Sequence, residues 1–187
     1  PNYTIQLAFR MGTASSMTDT PTTPQTASAG DPAKGHESIV VLDFGSQFAM
    51  LIARRVRELN TYCELLPNDG PFVRIKGMDV MGIIPSGGPN SVYEADAPLA
   101  PDWVWECGLP VLGICYGMQL MAHQLGGKVG PGQEREFGPA VVQREHAAPL
   151  LDGLPGEFEV WMSHGDRLDA VPPGFTSYAR SGNSPFA

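Results

Sequence analysis

An α/β architecture around a mostly parallel sheet is what this sequence predicts, and three observations carry the expectation. Two apolar runs with β-branched residues, 38–43 and 62–66, flank a stretch with helical spacing, which is the pattern of a βαβ unit. Two more apolar runs, 81–85 and 110–114, open into glycine-bearing turns, as strands do where a parallel sheet meets a ligand. Beyond Gly127 the apolar runs are short and separated by turns, which predicts an antiparallel extension in place of further crossover helices.

Taken in order, residues 1–37 are rich in Thr, Ser, Ala, Pro and Gly and are expected to form a disordered tail. The chain starts at Pro1, with Met11 and Met17 following, so part of this tail is read as an upstream remnant and set aside. Residues 38–187 are expected to form one folded domain with a sizeable core. After the first strand, Phe48, Leu51, Ile52, Val56 and Leu59 recur at helical spacing, while Arg54, Arg55, Arg57 and Glu58 take the other face. The second strand carries Cys63 into the core. Met81-Gly82-Ile83-Ile84-Pro85 then leads into Ser86-Gly87-Gly88-Pro89, where paired glycines let backbone N–H groups approach a ligand unobstructed. Trp103 and Trp105 suit a short packing helix over 100–107, with Cys107 packed beside it. Residues 140–144, 157–162 and 175–181 read as strands, with Ser163-His164-Gly165-Asp166 at the end of the second.

Charge and cysteine usage exclude several function classes. Lys and Arg number 12 against 20 Asp and Glu, a formal charge of −8, which argues against a nucleic-acid partner held by phosphate attraction. The three cysteines show no Cys-x-x-Cys pair, so neither a disulfide framework nor a metal site is indicated, and a reducing compartment fits. No apolar run approaches the roughly 18 to 20 residues that cross a bilayer. The amino terminus also lacks the basic flank and apolar core of a secretory signal. The expectation is a cytoplasmic protein with no membrane partner.

Chemistry is concentrated in Gly113-Ile114-Cys115-Tyr116-Gly117-Met118-Gln119. An apolar strand, a tight turn, a cysteine and an amphipathic helix follow one another in the order of a nucleophile elbow. Cys115 would stand at the amino end of a helix, where backbone N–H groups and the helix dipole favour a thiolate and can receive an oxyanion. On this motif alone, a cysteine acting as a small core hydrophobe stays open. A cysteine nucleophile also needs a base. Of the four histidines, His36 lies at the tail boundary, His123 two turns into the helix, and His146 in a polar connection. His164, at a strand end beside a glycine, is the internal candidate, with Asp166 as orienter; a structural turn or a ligand-contact loop is the alternative.

Six motifs together resemble a known family: Asp43-Phe44-Gly45-Ser46-Gln47, Ala53-Arg54-Arg55-Val56-Arg57-Glu58, Pro85-Ser86-Gly87-Gly88-Pro89, the Cys115 segment, Glu134-Arg135-Glu136-Phe137-Gly138, and Val160-Trp161-Met162-Ser163-His164-Gly165-Asp166. In order and spacing, over residues 39–187, they resemble the class I (triad) glutamine amidotransferase domain of GMP synthase. The resemblance implies a three-layer, flavodoxin-like fold. It implies a cysteine amidase that takes ammonia from L-glutamine for a second, ATP-dependent synthetase domain that aminates XMP to GMP. Carried over residue by residue, Cys115 is the nucleophile that forms a glutamyl thioester, and the N–H groups of Gly88 and Tyr116 form the oxyanion hole. Gly87 and Gln119 help hold the glutamine, and Ser163, Gly165 and Asp166 align with the loop at its amino-acid end.

The resemblance also marks a departure. The family takes its base and orienter from a His-Pro-Glu segment some tens of residues past the Ser-His-Gly-Asp loop, and no His-Pro-Glu occurs in this chain. The triad His and Glu are therefore absent here, the domain reads as incomplete at its carboxyl end, and His164 is reassigned from base to substrate-loop geometry or contact with the synthetase portion. ATP and magnesium are expected there, with no cofactor in this domain. A homodimer, if formed, would use regions outside the chain. Two other readings stand beside this one: another class I amidotransferase, serving CTP, carbamoyl phosphate or anthranilate synthesis, and a non-catalytic glutamine-binding module.

Overall fold

A computed structural model describes residues 7–10 and 35–186, the side chains of 7–10, 133–137 and 163 excepted. The elements are β1 (Leu7–Arg10), β2 (Glu37–Asp43), α1 (Ala49–Glu58), β3 (Tyr62–Pro67), β4 (Asp79–Pro85), α2 (Trp103–Glu106), β5 (Val111–Ile114), α3 (Tyr116–Gln124), β6 (Lys128–Arg144), β7 (Glu157–Ala170) and β8 (Ala179–Arg180). β2, β3, β4 and β5 pair in parallel, as the βαβ pattern requires, in the order β1-β5-β4-β2-β3. The chain leaves β2 for β3 on one side and returns to β4 on the other. That reversal opens a crevice at the carboxyl ends of β2 and β4, where open α/β sheets hold ligands.

Alternation along the central strand separates the layers. Val41 joins Ala53, Cys63, Ile84 and Ile114 in a cluster under α1. Val40 and Leu42 point the other way, into a larger cluster with Val104, Trp105, Leu120 and Met121 from α2 and α3. A period of two in the strands thus produces three layers. Cys63 is a core residue as expected, and Cys107 packs against the larger cluster.

The tail expectation needs correction at one place. Leu7–Arg10 forms an edge strand antiparallel to β5, in a register that pairs Leu7 with Ile114 and Arg10 with Val111. Its backbone partners lie about a hundred residues away along the chain, so local composition carries no sign of them. Residues 1–6 and 11–34 of the expected tail, and Ala187, lie outside the described residues.

The extension is a long hairpin, β6 on β7, with β8 on the far edge of β6 in the order β7-β6-β8. Its strands run well past the expected 140–144 and 157–162 because register shifts between Pro131 and Glu136 absorb a glycine- and proline-bearing stretch that breaks the sequence alternation. The segment Ser163-His164-Gly165-Asp166 accordingly lies inside β7, not at its end. The expected strand over 175–181 shrinks to Ala179–Arg180, since the preceding Pro172-Pro173-Gly174 forms a turn closed by Phe175 N–H to the Pro172 carbonyl. Leu168 of β7, with Met118 and Ala122 of α3, seats the hairpin on the helix beyond the elbow. Among the described residues no helix is long and apolar enough to cross a membrane.

Candidate active site

Cys115 occupies the junction between β5 and α3 with φ 53° and ψ −112°, one of two non-glycine residues at positive φ among the described residues. An L-residue there is strained by about 1–3 kcal/mol, so the surroundings must hold it in place. The adjacent glycines do not supply the turn's handedness, since neither Gly113 nor Gly117 has positive φ. They supply proximity. A Cβ on Gly113 would stand 2.7 Å from the Gly117 carbonyl oxygen and the Met118 nitrogen, and one on Gly117 would overlap the Pro85 carbonyl of β4. The helix is thereby pressed onto the strand ends, and the cysteine carbonyl accepts the N–H groups of Met118 and Gln119 at 3.0 and 3.1 Å.

The same closeness joins the elbow to the glycine loop. Gly117 N–H donates to the Ser86 carbonyl at 3.0 Å. Ser86, fully buried, accepts the Phe44 N–H on its Oγ at 3.1 Å and donates to the Gly87 carbonyl at 3.0 Å. A Cβ on Gly87 would lie 3.6 Å from Cys115 Cβ, and one on Gly88 would meet the Phe44 carbonyl oxygen at 2.7 Å and the Tyr116 ring at 3.3 Å. Three strand ends, those of β2, β4 and β5, therefore meet around one thiol. Burial pushes the Cys115 thiol up from its ordinary range, a hydrogen bond from the Tyr116 N–H opposes that, and the Asp166 charge adds to it. The Tyr116 phenol, donating to the Pro98 carbonyl at 2.8 Å and pushed up to about 12, stays protonated at neutral pH and is no base.

Of the expected substrate residues, Gln119 of α3 and Asp166 of β7 meet one another, and the Asp166 charge reaches the thiol. Gln119 is buried and donates its Nε2 to the Asp166 carbonyl at 3.1 Å. His164, also buried, lies 2.9 Å by its Nδ1 from the same carbonyl. A carbonyl only accepts, so Nδ1 is the donor in this contact. Asp166 thus touches His164 through its backbone carbonyl. Among the described residues other than its chain neighbours, none has an atom within 4 Å of where a Cβ on Gly165 would stand. Ser163 contributes its backbone to β7, opposite Phe137. His36, His123 and His146 are all exposed. Among the described residues no group of His, Cys, Asp or Glu is placed to hold a metal.

Ser91 and Tyr93 are missed by sequence reasoning. Their hydroxyls donate to the Asp166 carboxylate at 2.5 and 2.8 Å across 75 and 73 residues of chain. No local pattern marks a hydroxyl whose partner is that far away; only their position just past the paired glycines hints at it.

The raised thiol has a direct consequence for reactivity. Because the thiolate is the nucleophile, alkylation of Cys115 by iodoacetamide should rise with pH along a curve displaced above that of an unperturbed cysteine. Asp166→Asn, which removes the charge that opposes ionisation, should move the midpoint back down. A midpoint at or below the ordinary thiol value, or one indifferent to Asp166→Asn, would contradict the stated causes.

A strained cysteine at a strand–helix elbow, beside a backbone-lined glycine loop at the reversal point of a parallel sheet, defines an open-sheet α/β protein with its candidate site at the carboxyl ends of the strands. Residues 40–186 match the family described as glutamine amidotransferase class-I, and the chain belongs to that family. It is 58% identical over 164 residues to the glutamine-hydrolysing GMP synthase of Thermomicrobium roseum, covering 88% of this chain and 31% of that protein. It is 53% identical over 152 residues to the corresponding protein of Dehalococcoides mccartyi, covering 81% of this chain and 28% of that one. The chain thus spans about a third or less of the curated relatives' length. Among solved structures it resembles a GMP synthase subunit protein from Thermoplasma acidophilum, with TM-score 0.72, 32% identity, and coverage of 80% of this chain and 75% of that one. A Thermotoga maritima glutamine amidotransferase shares the fold at TM-score 0.63 and 22% identity, covering 80% of this chain and 69% of that one. The three-layer fold expected from the sequence motifs is therefore the one observed.

Proposed function

We propose that this chain is the glutamine-amidase part of a GMP synthase, with Cys115 as nucleophile. The observation that carries the reading is the strained Cys115 held against Gly87, with the Tyr116 N–H on its sulfur. The thiolate attacks the side-chain carboxamide carbon of L-glutamine. The oxyanion that forms is received by the N–H groups of Gly88 and Tyr116, each such donor contributing about two to three orders of magnitude in rate. Collapse breaks the C–N bond, ammonia leaves with a proton, and the glutamyl thioester is hydrolysed to glutamate. Gly87 and Gln119 position the substrate, with Ser163, Gly165 and Asp166 at its amino-acid end. The ammonia serves an ATP- and magnesium-dependent synthetase portion that aminates XMP to GMP in the cytoplasm. Identity to full-length relatives bearing that name supports this partner.

Two steps need proton transfer: ionising the thiol and protonating the leaving ammonia. The chain contains no His-Pro-Glu, and burial works against ionisation at Cys115. The expected result for this chain by itself is covalent capture of glutamine-shaped electrophiles at Cys115 without appreciable ammonia release from glutamine. Steady ammonia production that His164→Ala abolishes would reinstate His164 as the base. Absence of preferential capture at Cys115 would favour the non-catalytic glutamine-binding module instead.

A further inference from the structure

The loop that carries Gly87 and Gly88 continues into a short turn, closed by Glu94 N–H to the Ser91 carbonyl at 3.0 Å and by Ser91 N–H to the Glu94 carboxylate at 3.2 Å. This turn presents both hydroxyls in one direction. Ser91 Oγ donates to Oδ2 of Asp166 at 2.5 Å, and the Tyr93 hydroxyl donates to Oδ1 at 2.8 Å, so each carboxylate oxygen is held by its own donor. On its backbone side Asp166 accepts Gln119 Nε2 and meets His164 Nδ1. One residue therefore joins the glycine loop, α3 and β7. The Tyr93 side chain is not packed for burial: the residue remains 49% exposed, and the ordered contact it makes here is through its hydroxyl.

We propose that Ser91 and Tyr93 are positioning residues that clamp Asp166, fixing β7 at residues 164–166 against the Gly87–Gly88 loop. The clamp sets the separation between the oxyanion-receiving N–H groups and the contacts for the amino-acid end of glutamine. It rests on the glutamine reading above. Hydrogen bonds to a carboxylate are among the stronger neutral-donor contacts, and two of them restrain both the rotation of the carboxylate and the approach of the loop. A reagent that must span both ends of the site feels the clamp. A small alkylating agent that reaches only the sulfur feels it solely through the Asp166 charge.

The test compares a diazoketone analogue of glutamine with iodoacetamide on this chain, reading adduct formation at Cys115 by mass spectrometry. For Tyr93→Phe and for Ser91→Ala, capture by the diazoketone should fall about tenfold, through weaker binding, while the iodoacetamide rate changes far less, only through the Asp166 charge. Ser91→Thr, which keeps the hydroxyl, should retain wild-type capture. Diazoketone capture at the wild-type rate in both hydroxyl-deleted variants would overturn the clamp while leaving the glutamine reading standing. So would a parallel loss with both reagents and a lowered Tm, since that is what a purely structural contact produces. A wild-type chain that the diazoketone labels no faster at Cys115 than at Cys63 would overturn the glutamine reading, and the positioning role with it.

Discussion

Cys115→Ala should remove covalent capture of a glutamine-shaped chloroketone by at least about three orders of magnitude, the scale seen when a nucleophile is deleted. No other thiol in the chain can take over. Cys63 is buried under α1 and its thiol is pushed up by burial, while Cys107 donates to the Val104 carbonyl and precedes the amino end of β5, the strand whose carboxyl end carries the elbow. The same position makes a stability prediction of unusual sign. At φ 53° and ψ −112° any side chain with a Cβ is strained, and glycine is not. Cys115→Gly should therefore be more stable than Cys115→Ala by about 1 kcal/mol, even though glycine ordinarily costs about 0.5–1 kcal/mol through unfolded-chain entropy. Urea unfolding of the two variants checks it. The ordinary order, alanine above glycine, would mean that Cys115 is not strained as described.

Gly117→Ala should destabilise the fold by about 2 kcal/mol or more despite putting a better helix former into α3. Helix propensity alone favours alanine by about 1 kcal/mol. Against it stands a Cβ that would overlap the Pro85 carbonyl and lie 2.7 Å from its carbon and 2.8 Å from Pro85 Cβ. β4 is paired on both sides, by β2 and β5, so it cannot yield without disturbing the sheet. Overpacking of this kind costs about 1–3 kcal/mol and sometimes more. Gly165→Ala is the control, since no atom of the described residues beyond its chain neighbours lies within 4 Å of that Cβ and stability should change little. A Gly117→Ala variant as stable as wild type in urea would show that the elbow is looser than its packing indicates. The variant should also slow capture at Cys115, because the helix amino terminus that carries the Tyr116 N–H moves with it.

Much of this was legible in the chain because the responsible forces are local. The apolar run of β2, the helical spacing of α1 and the glycine loop after β4 are each set by residues within a few positions of one another. Gly-Ile-Cys-Tyr-Gly announces an elbow because close helix–strand approach needs small neighbours. The antiparallel extension was visible as a change of pattern, but its length was not. Register shifts at residues 131–136 and the turn at 172–174 decide where β6, β7 and β8 run, and both depend on what the strands pair with.

The sequence by itself determined the mostly parallel α/β sheet, the strand–turn–helix elbow and the cysteine at its apex, because periodicity, β-branching and glycine placement act over one turn or one strand. Only the tertiary structure decided that Leu7–Arg10 pairs with β5, that His164 and Gln119 meet the backbone of Asp166, and that Ser91 and Tyr93 hold its carboxylate. Apart from the His164–Asp166 contact, which spans two residues, those contacts join residues tens of positions apart through hydroxyls, a side-chain amide and strand edges. Their partners are chosen by the packing of whole elements, and no local pattern of charge or apolarity encodes that choice.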